Sequence, residues 1–238
     1  MNKVTHFFAT LGLACGLALP ASVAHAGWYE VNNYVGTVGQ SPVHVSLQTF
    51  GYINRGEAAQ WRVAGSYYDD AHRTPIHLSG QRQPDGKMVL CEAALPTVCP
   101  MTLTFHAGGA AGQWQDDKNT WPIVLKSVGQ LDDTKDAHLR GIVEVPMWHH
   151  TKSHLLLGVY QSTAACPLSM RHLRLINKRT GRIDRDIPLA CDAGMIMTEI
   201  YSNVSAAHNE RQVTVGFQGG KMGLFKVITV EKRAAIQK

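Results

Sequence analysis

The sequence is poor in charge and has no long apolar run beyond its first residues. Charged residues make up 17% of the 238 positions, and hydrophobic residues make up 45%, which excludes a disordered chain. The 22 Gly and 10 Pro are spread evenly, which excludes a coiled coil. No stretch of about 18 apolar residues follows residue 26, so we expect no transmembrane segment. A chain of this length can bury a hydrophobic core.

Catalytic signatures are also missing. The chain has no G-x-S-x-G turn, no H-E-x-x-H, no P-loop and no dinucleotide fingerprint. A glycosidase needs two facing carboxylates, and Glu57, Glu92 and Glu144 fall on separate segments with no sign of pairing. We therefore expect no enzyme; the alternative is an enzyme that acts on the cell wall or on glycans.

The first 26 residues have the layout of a signal peptide. Lys3 precedes an apolar stretch at residues 7–19, and the small-x-small sequence at residues 24–26 is typical of a cleavage site. We expect a periplasmic or secreted protein. Lipid anchoring at Cys15 is the alternative, although Gly12 stands where a lipidation site usually has Leu.

The chain that remains after cleavage is mildly basic. Removing Lys3 leaves 22 Lys and Arg against 18 Asp and Glu, a formal charge of +4. This charge weakly favours an anionic partner. No run of like charges indicates nucleic acid, so we expect none as a partner.

Four cysteines remain in the exported chain: Cys91, Cys99, Cys166 and Cys191. An even number in an exported protein favours disulfides. Three pairings are open, and Cys91–Cys99 with Cys166–Cys191 is favoured because each closes a short loop within one half of the chain. A redox or thiolate site would need a closer spacing such as C-x-x-C, which the sequence lacks.

Turn-forming residues recur every 8 to 12 positions between short alternating runs, which predicts an antiparallel all-β protein, either barrel-like or sandwich-like. The predicted strands are residues 43–53, 61–68, 76–79, 88–92, 101–106, 110–114, 122–126, 139–145, 154–160, 171–177, 183–188, 195–201, 212–218 and 223–231.

A repeat with an offset of 47 residues lies in the first half. Residues 65–78 and 112–125 share the pattern G-x-aromatic-x-D-D-x4-P-I-x-L. The pattern predicts a hairpin, in which the Asp pair begins the turn and Pro opens the returning strand. Val63, Tyr67, Ile76 and Leu78 should then face inward, and Ser66, Tyr68 and His77 should face outward.

The polar segment at residues 131–136 is the best candidate for a domain boundary. It predicts an N-terminal β domain at residues 27–133, which contains the hairpin repeat, and a C-terminal β domain at residues 134–238. One continuous β domain is the alternative.

The densest chemical cluster is residues 148–154, with Trp148, His149, His150, Lys152 and His154. His149, His150 and His154 could together bind zinc or copper, because imidazole is a ligand for both metals. The sequence identifies no fourth ligand, so an exposed polar loop without a metal is the alternative.

Two segments carry a family resemblance. Residues 63–68, 76–80 and 89–92 resemble a hairpin of exported proteobacterial proteins. Residues 173–183 resemble a strand-turn-strand of periplasmic lysozyme inhibitors and related immunity proteins. The resemblance implies a β-rich, non-catalytic protein that blocks a cell-wall hydrolase by inserting a loop into its active-site cleft.

We therefore expect a non-catalytic periplasmic binding protein, an inhibitor or immunity factor against a cell-envelope-acting enzyme. The partner would be a cell-wall hydrolase or a secreted effector. The expected contact is the loop at residues 146–153, with Trp148 as anchor and His149, His150 and Lys152 as polar contacts. A metal-binding protein that uses the histidine loop is the alternative from another class.

Overall fold

The structure is a computed structural model that describes residues 29–50, 62–94, 99–133, 138–193, 199–207, 211–216 and 225–230. The predicted signal peptide at residues 1–26 lies outside the described residues.

The described residues form an all-β protein, as predicted, with sixteen strands and one 3-10 turn. The strands are β1 (Tyr29–Val38), β2 (Ser41–Phe50), β3 (Arg62–Asp69), β4 (Ile76–Arg82), β5 (Met88–Glu92), β6 (Met101–His106), β7 (Gly109–Gln115), β8 (Thr120–Asp132), β9 (His138–Gly141), β10 (Val143–Pro146), β11 (His154–Thr163), β12 (Cys166–Asn177), β13 (Ile183–Pro188), β14 (Val204–Ala207), β15 (Gln212–Gly216) and β16 (Phe225–Thr229). Among the described residues, no helix is long and apolar enough to cross a membrane.

Four local expectations differ from the structure. The predicted strand at residues 139–145 is two strands, β9 and β10, which belong to different sheets. The strand β14 falls between two predicted strands and was not predicted. The predicted strand at residues 195–201 is wrong at its end, because Ile200–Ser202 form the 3-10 turn; residues 195–198 lie outside the described residues. The strand β1, in contrast, was not among the predicted strands, although Tyr29 and Val31 alternate with polar residues.

The first eight strands form a closed antiparallel barrel. Each strand pairs with the next in sequence order, and β1 pairs with β8 to complete the circle. The register of β1 against β8 shifts between Asn33 and Tyr34. The last residues of β8, from Gly129 to Asp132, also pair with β9, so β8 carries the chain out of the barrel.

Both copies of the repeat form the predicted hairpin. The first copy is β3–β4 and the second is β7–β8. In each turn the first Asp accepts backbone N–H bonds: Asp69 Oδ1 from the residue three ahead at 2.7 Å, and Asp116 Oδ1 likewise at 2.7 Å. Gly112 is required by a close approach of strands, because a Cβ there would lie 1.9 Å from the carbonyl oxygen of Thr102.

The barrel interior is a packed apolar core. Val63, Tyr67 and Leu78 lie in it, and Ile76 packs against it, as the alternation predicted. The other buried members come from the remaining six strands of the barrel and are Tyr34, Val43, Val45, Leu47, Met88, Leu90, Met101, Leu103, Ala110, Ile123 and Leu125.

The second half of the chain covers part of the barrel's outer wall. Strands β10–β13 form one sheet and β14–β16 another. A second core cluster joins Val31 and Ala64 of the outer wall to Tyr160 and Tyr201 of the second half. Because this core crosses residue 133, the two halves share buried surface, and the domain boundary stays a prediction.

A buried polar chain crosses the same interface. The Ser46 hydroxyl donates to Asn33 Oδ1 at 2.9 Å and lies 3.2 Å from the Tyr201 hydroxyl. Asn33 Nδ2 donates to the carbonyl oxygen of Glu144 at 2.7 Å. Buried polar groups that find partners fix the relative position of the elements that supply them.

Both favoured disulfides are confirmed. Cys91 bonds to Cys99 across 8 residues, and Cys166 bonds to Cys191 across 25 residues. Each bond lies within one half of the chain.

Candidate functional site

The predicted contact loop connects β10 to β11 and lies against the barrel. The backbone N–H of Met147 donates to the carbonyl oxygen of Leu156 at 2.9 Å, and the backbone N–H of Trp148 donates to the carbonyl oxygen of Tyr201 at 3.0 Å. Met147 is fully buried. The first part of the loop is therefore held by the core of the second half.

Trp148 fills the space between the loop and the barrel wall. Its ring stacks on His77 with centroids 3.4 Å apart, and it stacks on Tyr201 with centroids 5.7 Å apart. Its Nε1–H donates to the carbonyl oxygen of Gly65 at 3.0 Å. The expected anchor for a partner thus has internal contacts on its ring and on its N–H.

The neighbouring polar residues have different surroundings. His149 is half-buried, and His150 Nδ1 accepts a hydrogen bond from Lys178 Nζ at 2.8 Å. Lys152 is exposed. Of the four residues expected to contact a partner, Lys152 is therefore the most accessible.

The three imidazoles of the loop do not meet at one point. His154 Nε2 donates to Asp184 Oδ2 at 2.9 Å, whereas His150 bonds to Lys178. Hydrogen bonds from Asn177 and His154 hold the pKa of Asp184 below its ordinary value. Within the described residues, no group of three or more His, Cys, Asp or Glu side chains could hold a metal ion.

A turn that the sequence analysis did not name as a site lies beside this loop. It connects β12 to β13 and is closed by the backbone bonds Gly181 N–H to Asn177 O at 2.8 Å and Asn177 N–H to Arg182 O at 2.9 Å. Asn177 Oδ1 also accepts from the backbone N–H groups of Arg179 at 3.0 Å and Thr180 at 3.1 Å. Gly181 has a φ of 71°, in the region that favours glycine. The turn conformation is therefore specified by its own sequence.

The same turn is attached to both neighbours. Arg73 Nη1 of the β3–β4 turn donates to the carbonyl oxygen of Lys178 at 2.8 Å. A Cβ at Gly181 would lie 2.6 Å from Arg73 Nη2, so the two turns are in close contact. The backbone N–H of Lys178 donates to the carbonyl oxygen of Ser153 at 2.9 Å. The turn is consequently held against the barrel and against the histidine loop.

Three cationic side chains project from this region: Lys152, Arg179 and Arg182, which we call the cationic corner. All three are exposed. In the part of the chain that the structure describes, none of them forms an ion pair. The signal in the sequence was the Thr-Gly turn flanked by basic residues at 178–182, which becomes a candidate site once Lys152 is placed beside it.

Comparison of the chain with protein-family models, with curated proteins and with solved structures gives no match.

Proposed function

We propose that the protein is an exported, non-catalytic inhibitor of a cell-envelope-acting enzyme, and that it binds through the cationic corner. The single observation that carries the proposal is this rigid, positively charged projection. Arg179 and Arg182 lie on a turn whose backbone is closed by internal hydrogen bonds. A contact element that is already ordered loses little conformational entropy on binding.

The charge of the corner matches the chemistry of the proposed partner. Enzymes that cleave glycan strands of the cell wall place two carboxyl groups about 5 to 9.5 Å apart in a cleft. Guanidinium groups form bidentate hydrogen bonds with carboxylates, so an arginine-bearing turn is complementary to such a cleft. The resemblance of residues 173–183 to periplasmic lysozyme inhibitors concerns the same turn, and the two disulfides fit an oxidising compartment.

The test is inhibition by the purified, oxidised protein of a panel of lysozymes, lytic transglycosylases and amidases that degrade cell walls. We expect a stoichiometric complex with one of them and loss of its turnover. The double variant R179E/R182E should weaken binding by about 3 kcal/mol or more. The two glutamates remove the charge-assisted hydrogen bonds and repel the carboxylates of the partner.

Arg140 provides the matched control. It is an exposed arginine on β9, remote in sequence from the turn. R140E should leave inhibition unchanged, and wild-type affinity should fall as salt is added. Equal losses of affinity in R140E and R179E/R182E would exclude the cationic corner as the contact. If every hydrolase of the panel keeps its full activity in the presence of the protein, inhibition is excluded.

A further inference from the structure

One mouth of the barrel is polar on its inner face, next to the packed apolar core of the interior. Glu30 and Asn32 of β1 share the face of Tyr34, which lies in the interior core. Paired residues on neighbouring strands face the same side, and Gln130 of β8 pairs with Asn32. These polar side chains therefore line the lumen, where burial is costly without partners.

A cavity of about 180 Å³ opens at this mouth. Its lining includes Glu30, Tyr34, Arg82, Met88 and Phe105. Apolar cavities of about 150 Å³ hold a molecule the size of benzene, so this one has room for a small organic body. Tyr34, Met88 and Phe105 supply aromatic and thioether surface for it.

Glu30 is held in a fixed position within the cavity. Its Oε1 accepts hydrogen bonds from Asn32 Nδ2 at 2.9 Å and from Gln130 Nε2 at 2.5 Å. Burial, and after it the nearby charge of Glu30, raise the pKa of Tyr34 far above its ordinary value. Tyr34 thus keeps its proton and can donate a hydrogen bond within the cavity.

The two charges of the cavity are not paired with each other. No ion pair joins Glu30 to Arg82, and none of the ion pairs among the described residues involves either side chain. Two opposite charges that line one small cavity without pairing are complementary to a molecule that carries both charges. Since Arg82 is exposed and Glu30 is half-buried, the cationic end of that molecule would enter first.

We propose that this mouth of the barrel is a binding site for a small zwitterion with an apolar body, whose ammonium group pairs with Glu30 and whose acidic group pairs with Arg82. The apolar body lies on Tyr34, Met88 and Phe105. The site is separate from the cationic corner and does not depend on the proposed inhibition.

The probes are 6-aminohexanoate, in which the two charges are widely spaced, and leucine, in which they are close together. Hexylamine and hexanoate each retain one of the two charges and serve as matched ligands. Titration calorimetry on the purified, oxidised protein should give saturable binding of a zwitterion at least tenfold tighter than of either single-charge analogue. Binding of leucine in preference to 6-aminohexanoate supports the same site with a shorter charge spacing.

The variants E30Q and R82Q should each weaken binding of the zwitterion tenfold or more. E30Q keeps a side-chain oxygen for Asn32 and Gln130, and Arg82 is exposed, so R82Q tests the site even where E30Q lowers stability. The control is E92Q, because Glu92 accepts from the Tyr67 hydroxyl at 2.8 Å and is outside the cavity lining.

Three results would overturn the proposal. The first is the absence of saturable binding of both zwitterions at millimolar concentration. The second is equal binding of hexylamine and 6-aminohexanoate, which would remove Arg82 from the site. The third is a loss of affinity in E92Q that equals the loss in E30Q.

Discussion

At the residue scale, Trp148 shows how an aromatic side chain in a loop can be structural. Its ring lies between His77 and Tyr201, and its N–H bonds to the barrel backbone at Gly65. The residue therefore joins the hairpin β10–β11 to the barrel wall. Buried aromatic side chains contribute through apolar area and also through ring-to-ring geometry.

We expect W148A to lower the free energy of unfolding by about 3 kcal/mol, because it removes the packing on His77 and Tyr201. W148F keeps an aromatic ring but loses the N–H donor to Gly65, so its loss should be nearer 1 kcal/mol. Urea unfolding of the two variants measures the difference. Equal, small losses would mean that Trp148 is not part of the interface between the two halves.

His77 makes the same interface sensitive to acid. Burial lowers the pKa of His77; Arg62 lowers it further, and Glu199 acts in the opposite direction. The neutral form is thus favoured in the folded protein, whereas the unfolded chain takes up a proton near pH 6.5. The contribution of neutral His77 to the free energy of unfolding is therefore fully present above about pH 6.5, and it is lost as pH falls through the lowered pKa of the folded state.

The expected result is that acidification from about pH 7.5 to about pH 5.5 reduces the free energy of unfolding less in H77Q than in the wild type. Urea titrations of both proteins at the two pH values give the comparison. If acidification lowers the free energy of unfolding of the wild type no more than that of H77Q, the role of His77 is contradicted.

At the element scale, the repeated hairpin depends on the first Asp of each pair. Asp116 Oδ1 accepts backbone N–H bonds from Lys118 at 2.8 Å and from Asn119 at 2.7 Å. These bonds hold the pKa of Asp116 below its ordinary value. A side chain that satisfies the turn backbone favours the turn over competing conformations.

D116A should therefore unfold at a lower temperature than the wild type, and D117A should unfold close to the wild-type temperature. The neighbouring position is a matched control, since both substitutions remove one exposed carboxylate from the same turn. Thermal unfolding at neutral pH measures both. A larger loss in D117A would show that the turn is specified in another way.

The hairpins could be predicted because their information is local. A period of two along the strands and turn residues between them placed Val63, Tyr67 and Leu78 inside the barrel. What covers the outer wall depends on residues far away in sequence. Ser66 and Tyr68 face outward as predicted, yet both are buried, because the second half of the chain lies over them.

The candidate sites were harder to predict for the same reason. Lys152 lies beside the β12–β13 turn only because the backbone of Lys178 bonds to Ser153. Glu30 and Arg82 line one cavity only because the barrel closes. Neither proximity leaves a trace in local sequence patterns.

At the scale of the whole molecule, the two disulfides restrain different lengths of chain. The Cys166–Cys191 bond spans 25 residues and the Cys91–Cys99 bond spans 8. A longer closed loop removes more conformational entropy from the unfolded chain.

We expect the double variant C166S/C191S to lose about 3.5 kcal/mol and C91S/C99S to lose about 2.5 kcal/mol of unfolding free energy. Guanidinium chloride unfolding under oxidising conditions gives both values. The reverse order would indicate that residual structure in the unfolded chain outweighs loop length.

The pairing of β1 with β8 also determines when the barrel can close during folding. Glu30 lies near the start of the first strand, and its partner on β8, Asp132, lies about a hundred positions later in the sequence. If the chain emerges from a translocation channel N-terminus first, the first seven strands leave the edge of β1 unpaired until β8 has emerged. An open edge can pair with another chain, and contacts this distant in sequence form slowly. Chaperones that shield strand edges should therefore matter more for the yield of this protein than its final stability would suggest.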